Sequence, residues 1–258
     1  MGKYKKVLLT GGSGNLGKSV LKSNLFPGIF ASSREEMDIV EEKSVVSFFE
    51  KNDPDAVIHC AAMVNMVECE ENPASAMKTN IIGTYNVAKE IFERERSLGK
   101  NIRFIYISTD GVYPSTKGGY SEIDETNPYN TYGWSKLGGE CVAHMLKSFC
   151  IIRTSFFDPE KIKHEFYAID KYSSRVPISY LPKAIAFVLE SNFTGTINIG
   201  GKRESDYEKY KSVKPGIKPC TYDSIAKNSP VKISRDASMD SSLWRKLTSG
   251  VKSLKIND

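Results

Sequence analysis

The chain has 258 residues, 40% of them apolar, with 36 basic and 31 acidic side chains, which excludes a disordered or fibrous chain and supplies enough apolar surface for a full core. No apolar run approaches the roughly 20 residues needed to cross a bilayer, and the opening MGKYKKVLLTGG leads from basic residues into an apolar stretch too short for a signal peptide. A cytoplasmic location without membrane contact is the expectation.

Cys60, Cys69, Cys141, Cys150 and Cys220 form no CxxC pair and lack the density of a disulfide scaffold, so reduced thiols and no metal site are expected. The net charge of +5 is uneven, because residues 196–258 carry 13 Lys/Arg against 7 Asp/Glu. No nucleic-acid-binding module accompanies that excess, so no nucleic-acid partner is expected; a small molecule bearing a diphosphate would be drawn to the same charge.

In chain order, short β-rich runs at 6–9, 28–31, 56–60, 103–108 and 150–154 alternate with amphipathic stretches near 15–23, 41–51, 73–97 and 128–148. That alternation predicts βαβ units and a parallel, doubly wound α/β sheet. Asn72 before Pro73 gives the third helix a cap and a first-turn proline. Beyond Ser155 the pattern loosens, although 181–190 reads as a helix and 196–199 as a strand. Residues 202–230 show neither period and read as loop or lobe surface. The expected division is a dinucleotide-binding Rossmann domain over 1–155 and a substrate-binding lobe over 156–258, interleaved with the last Rossmann elements.

The first strand runs into Gly11-Gly12-Ser13-Gly14-Asn15-Leu16-Gly17 and then a helix. In that context Gly11 makes the tight turn, Gly14 admits a pyrophosphate to the backbone, and Gly17 lets helix and strand pack closely. The free N–H groups of the helix start face the anion. Where the second strand ends, an acidic residue would bind a ribose 2′-hydroxyl and repel a 2′-phosphate; here Ser32, Ser33 and Arg34 offer two hydroxyls and a guanidinium. NADP(H) is therefore favoured over NAD(H).

Tyr132 and Lys136 stand one helical turn apart, so an ammonium can tune a phenol that otherwise titrates near 10. The same spacing recurs at Tyr85–Lys89, Tyr113–Lys117, Tyr167–Lys171 and Tyr207–Lys211. Pro114 interrupts one pair, Tyr85–Lys89 precedes the strand ending in Ser108-Thr109, and the last two fall in the less regular half. Only Tyr132–Lys136 opens the helix after that strand. Thr109, at the end of a central strand, is positioned to hydrogen-bond a substrate carbonyl, with Ser108 the next candidate.

TGGSGNLG, Ala61-Ala62, Asn80 in TNIIGTYNVAKE, Ser108-Thr109-Asp110 and Tyr132-Gly-Trp-Ser-Lys136 occur in the order seen in extended short-chain dehydrogenases/reductases, and over about residues 5–155 the chain resembles that family. The resemblance implies Tyr132 as proton donor, Lys136 as its partner, and Thr109 against the carbonyl. It further implies Asp38 and Ile39 beside the adenine, with Ala61, Ala62 and Asn80 along the route to the nicotinamide.

Within the family the resemblance is strongest to dTDP-4-dehydrorhamnose reductases, through the strand from Asp53 to Ala62, the Ser108-Thr109-Asp110 strand end, and the segment Arg235-Asp-Ala-Ser238-Met-Asp240. It implies reduction of a 4-keto-deoxysugar on a nucleoside diphosphate, with Ser108, Arg153, Arg235 and Ser238 toward the substrate, and a homodimer as one possible assembly. The chain departs from that group at Val67, where an acid is usual, at Gly111, where a Tyr is usual, at Phe156, where a Trp is usual, and in a shortened stretch from Phe157 to Pro182. Two alternatives stay open: an epimerase or dehydratase that retains NAD, and a non-catalytic NADP-binding regulatory subunit.

Overall fold

The structure, a computed structural model, describes residues 2–162 and 164–256; the last two residues of the lobe expected over 156–258 lie outside them. Its centre is a six-stranded, all-parallel sheet of β1 (Val7–Thr10), β2 (Ile29–Ala31), β3 (Ala56–His59), β4 (Arg103–Thr109), β5 (Phe149–Thr154) and β6 (Gly195–Ile199), in the spatial order β6-β5-β4-β3-β1-β2. The order reverses at β1, which pairs with both β2 and β3. Such a reversal opens a crevice at the C-terminal strand ends, where open α/β sheets hold ligands.

Strands buried on both faces read as continuous apolar runs, and β1, β3, β4 and β5 are buried throughout. On one face, Val7, Leu9, Ile58, Ile105 and Ile152 pack against Leu16 and Val20 of α1 (Asn15–Lys22). Later in the chain, a helix at Leu181–Glu190 and Trp244 complete that layer. On the other face, Leu8, Val57, Phe104 and Ile151 meet Val45 and Phe49 of α2 (Glu42–Asn52) and Val87 and Ile91 of a helix at Gly83–Leu98. Each large side chain so buried contributes about 1.5–3 kcal/mol.

The helix expected over 73–97 consists of α3 (Pro73–Met77), a π-helical turn at Lys78–Ile82, and α4 (Gly83–Leu98). The π turn diverts Asn80 inward, where its side chain bonds Met63 and Ser135. The helix expected over 128–148 is shorter, α5 (Thr131–Ala143), because the Asn130 side chain caps Gly133 N–H at 2.9 Å and fixes its start.

Leu181–Glu190 is α6, and it and β6 return to the Rossmann layers after the chain has left for the lobe. In the lobe, Phe166–Ala168 pairs with Lys218–Cys220, and Tyr172–Ser173 with Glu204–Ser205. The stretch read as loop contains α7 (Asp206–Val213). Its buried positions include Asp206 and Lys209, held by ion pairs with Lys171 and Glu204, so no apolar period marks it. A local signal did exist: Ser205 caps the helix by accepting from Glu208 N–H, the first half of an S-x-x-E capping box.

Candidate active site

The ends of β1, β3, β4 and β5 frame a cleft of about 690 Å³. At one end lies the glycine turn. Gly11 has φ +71°, and a Cβ on it would come within 2.6 Å of Ala61 N; a Cβ on Gly17 would meet Gly11 O at 2.2 Å. The first position requires a left-handed backbone, and both require the absence of a side chain. Gly14 caps α1 with no side-chain hydrogen bond, so the N–H groups of the first turn are left for an anion. These features fit a dinucleotide pyrophosphate.

Ser32, Ser33, Arg34, Asp38 and Ile39 line the same end. Arg34 is exposed and its Nε donates to Asp38 at 3.2 Å, while Ser33 N–H donates to Glu36 at 2.9 Å. A 2′-phosphate entering here competes with two carboxylates for those donors, yet no acid occupies the strand end itself. Ala61 and Ala62 line the cleft's middle.

At the far end Thr109, Tyr132 and Lys136 face one space, bordered by Ser108, Gly111 and Phe156. Thr109 Oγ1 accepts from Gly111 N–H at 3.0 Å and donates to Asp110 Oδ1 at 3.1 Å. Burial pushes the Tyr132 phenol above its ordinary value and outweighs the opposing Thr109 hydroxyl, so the phenol holds its proton at neutral pH. Burial lowers Lys136 to about 8. Its Nζ stands 4.1 Å from the Tyr106 ring centroid, a cation–π contact, and no hydrogen bond joins it to Tyr132 among the described residues.

Behind the cleft a chain of hydrogen bonds fixes the strand ends. Thr10 Oγ1 meets His59 Nδ1 at 2.9 Å, His59 Nε2 meets Thr84 Oγ1 at 3.2 Å, and Thr84 donates to Asn80 O at 2.8 Å. Thr84 thus accepts from Nε2–H, which assigns the ring's tautomer. Burial lowers His59 to about 3, keeping it neutral. Asn80 is itself buried and braces this wall rather than lining the cleft.

Three expected substrate residues are not brought to the cleft. Arg153 is buried and bidentate on Glu140, with Nη2 at 2.7 Å from Oε2, and its Nη1 donates to Tyr113 at 2.9 Å. Ser238 is buried, donating to Asp236 at 2.7 Å and accepting from Gly119 N–H at 2.9 Å. Arg235 is exposed and pairs with Asp170 at 3.2 Å. Ser108 borders the cleft, but its hydroxyl donates to Glu140 at 2.5 Å. In each case a carboxylate takes the donor; Asp236 stands two residues before Ser238, whereas Glu140 lies 13 residues from Arg153 and 32 from Ser108, and Asp170 lies 65 from Arg235, separations that no local motif spans.

Conversely, Asp110, Tyr129, Ser155, Lys171 and Arg175 line the cleft, and the sequence assigns none of them a site role. Asp110 stood in the strand-end motif. Lys171 and Arg175 lie where neither period is sustained, and only the chain's return from the lobe brings them in. Among the described residues no group of three or more His, Cys, Asp or Glu is arranged to hold a metal, and no helix is long and apolar enough to cross a membrane.

The six-stranded parallel sheet with its glycine turn defines a Rossmann-type α/β protein. Residues 5–167 match the RmlD substrate binding domain, and the chain belongs to that family. The spore coat polysaccharide biosynthesis protein SpsK of Bacillus subtilis strain 168 is 35% identical over 156 residues, 58% of this chain and 53% of that protein. Methionine adenosyltransferase 2 subunit beta of Xenopus tropicalis is 28% identical over 177 residues, 64% of this chain and 51% of that protein. The chain thus spans about half the length of the curated relatives it matches. The crystal structure of dTDP-4-dehydrorhamnose reductase from Bacillus anthracis strain Ames in complex with NADP superimposes with a TM-score of 0.81 at 22% identity, covering 94% of this chain and 92% of that one.

Proposed function

We propose that the protein is an NADPH-dependent reductase of a 4-keto-deoxysugar carried on a nucleoside diphosphate. The observation that carries this reading is the convergence of Thr109, Tyr132 and Lys136 on one cleft whose other end is the glycine turn with Ser32, Ser33 and Arg34. Membership of the RmlD substrate binding domain family and the likeness to an NADP-bound dTDP-4-dehydrorhamnose reductase support it.

The backbone of Ser13, Gly14, Asn15, Leu16 and Gly17 would hold the pyrophosphate, and Ser32, Ser33 and Arg34 the 2′-phosphate. Asp38 and Ile39 would flank the adenine. Bound NADPH supplies the hydride. Thr109 turns its hydroxyl from Asp110 to the substrate carbonyl, which gains negative charge as the carbon is reduced. Tyr132, held protonated by burial, donates its proton to that oxygen, giving the alcohol. Lys136 contributes a positive charge to stabilise the phenolate left behind and donors for the nicotinamide ribose. Free cysteines support a reducing, cytoplasmic setting, and Ile82, Tyr85 and Phe92 with neighbouring Trp134 leave exposed apolar surface for a homodimer.

A specific observation favours a second reading, a non-catalytic NADP-binding subunit: the identity to methionine adenosyltransferase 2 subunit beta. Cofactor and nucleotide titrations followed by turnover test both. NADPH should bind more tightly than NADH, and Arg34→Ala should weaken NADPH by about tenfold to a hundredfold, the loss of a charged hydrogen bond worth roughly 1.5–3 kcal/mol. NADH binding equally well would remove the cofactor assignment. Calorimetric silence from both dTDP and UDP up to about a millimolar would move the assignment to the second reading.

A further inference from the structure

All six strands of the central sheet are parallel, so their N-terminal ends lie together at the edge opposite the cleft. There a pocket of about 560 Å³ shares no lining residue with the active site. Its wall holds Arg103, the first residue of β4, with Ser148 just before β5 and Thr194 just before β6. Lys3, Lys100 and Lys147 add three further cations, and Glu95, near the end of α4, is the one acid in the wall among the described residues.

Two polar atoms of this wall are buried without a hydrogen-bond partner, and they are of opposite kind. Arg103 is only 1% exposed. Its Nη1 donates to Phe149 O and its Nη2 to Val188 O and Phe193 O, but Nε is left without an acceptor. Val188 lies in the last turn of α6, so part of the guanidinium's charge answers a negative helix end, equivalent to about half an elementary charge. The rest has no counter-ion. Burial depresses the Arg103 pKa, and the groups opposing that shift are the Cys150 thiol and the Tyr4 hydroxyl, not a carboxylate. Lys100 is taken by Asp53, whereas Lys3 and Lys147 make no side-chain ion pair among the described residues. The second orphan is Glu95 Oε1, an acceptor without a donor.

A buried permanent cation is costly without an anion, and a buried carboxylate oxygen is costly without a donor. A phosphate that also carries a hydroxyl supplies both, since its charged oxygens accept while its O–H donates. We propose that this pocket binds a small hydroxyl-bearing phosphate at a site separate from the reaction cleft, with the anionic oxygens toward Arg103, Lys147 and Lys3 and the hydroxyl donating to Glu95. Hydrogen phosphate and the phosphate ester of a sugar share that chemistry. The inference stands on this pocket alone and does not depend on the reductase reading.

The test is calorimetry at neutral pH and low salt with inorganic phosphate, glucose 6-phosphate and sulfate, with and without NADPH. The proteins are the wild type, Glu95→Gln, Lys147→Gln, the Lys3→Gln/Lys147→Gln double variant and Arg103→Met, each first checked by thermal melting. Arg34→Ala serves as control for phosphate entering the reaction cleft. Lys147→Gln should weaken both phosphate ligands about twofold to fivefold, Arg103→Met about tenfold or more, and Arg34→Ala not at all; added salt should weaken them further. Sulfate, which has the charge but no O–H at this pH, should bind about tenfold more weakly than phosphate to the wild type, and Glu95→Gln, whose amide can donate, should narrow that gap. Should Arg103→Met fail to fold, the double lysine variant carries the test. Glucose 6-phosphate binding well above inorganic phosphate identifies an ester, and equal binding identifies the free ion. Neither heat nor a raised melting temperature from either phosphate ligand up to about ten millimolar would overturn the proposal, as would unchanged affinities in the folded pocket variants or a loss confined to Arg34→Ala. Sulfate binding as tightly as phosphate would overturn the role given to Glu95.

Discussion

Asn80 Nδ2 donates to Ser135 Oγ at 2.8 Å and to Met63 O at 2.9 Å, while its Oδ1 accepts from Met63 N–H at 2.7 Å. One side chain thus ties the π turn to the loop after β3 and to the residue preceding Lys136. Asn80→Ala should leave the half-buried Met63 N–H without its partner and the Met63 carbonyl with only the Cys69 thiol, and cost about 1–3 kcal/mol. Ser135→Ala, which removes one bond, should cost less. Urea denaturation of both variants decides it; equal, sub-kilocalorie losses would show that Asn80 is not the brace.

The Arg153–Glu140 pair joins β5 to the active-site helix α5, with both side chains buried. Removing one partner strands a charge, so Arg153→Ala should destabilise the fold by about 3–5 kcal/mol. Arg153→Met with Glu140→Leu should cost much less than the sum of the two single changes. Ligand affinity per folded molecule should stay unchanged. A stable Arg153→Ala protein with weakened nucleotide binding would return Arg153 to the substrate site.

Two tyrosines with lysine four residues on can be separated by what their hydroxyls do. Tyr113 OH donates to Ser121 O or Asn198 and accepts from Arg153, so Tyr113→Phe should lower the melting temperature and leave turnover per folded molecule intact. Tyr132→Phe should keep NADPH affinity and cut turnover about a hundredfold to ten-thousandfold, the usual range for losing a general acid. Wild-type turnover in Tyr132→Phe would sink the proton-donor assignment.

Lys136 titrates near 8 in the folded cleft because burial disfavours its charge, below the ordinary lysine value of about 10.4. Its cation is present below pH 8 and lost above it, so turnover should decline as pH rises through that value. The stability sign is opposite: between about 8 and 10.4 the unfolded chain binds the extra proton, and this group's contribution to stability rises with pH. Lys136→Met should be poorly active at every pH and lack the decline. A flat wild-type profile from pH 7 to 9.5 would rule out Lys136 as the titrating group.

The sequence by itself determined the doubly wound sheet, the glycine turn and the placement of Thr109, Tyr132 and Lys136, because each depends on interactions within a few residues. Apolar runs make buried strands, a left-handed Gly11 makes the turn, and spacing of four puts Tyr132 and Lys136 on one helical face. Local chemistry also fixed Ser205 as a cap, although the ion-paired helix after it carried no apolar period. Only the tertiary structure decided which donors remain free. Arg153 and Arg235 look as suited to an anion as Arg175 does, yet Glu140 and Asp170 take the first two, and Arg175 alone of these three reaches the cleft wall. Charge pairing acts between groups brought together by the fold, across 13 residues for Glu140 and Arg153 and 65 for Asp170 and Arg235, and no local pattern encodes it.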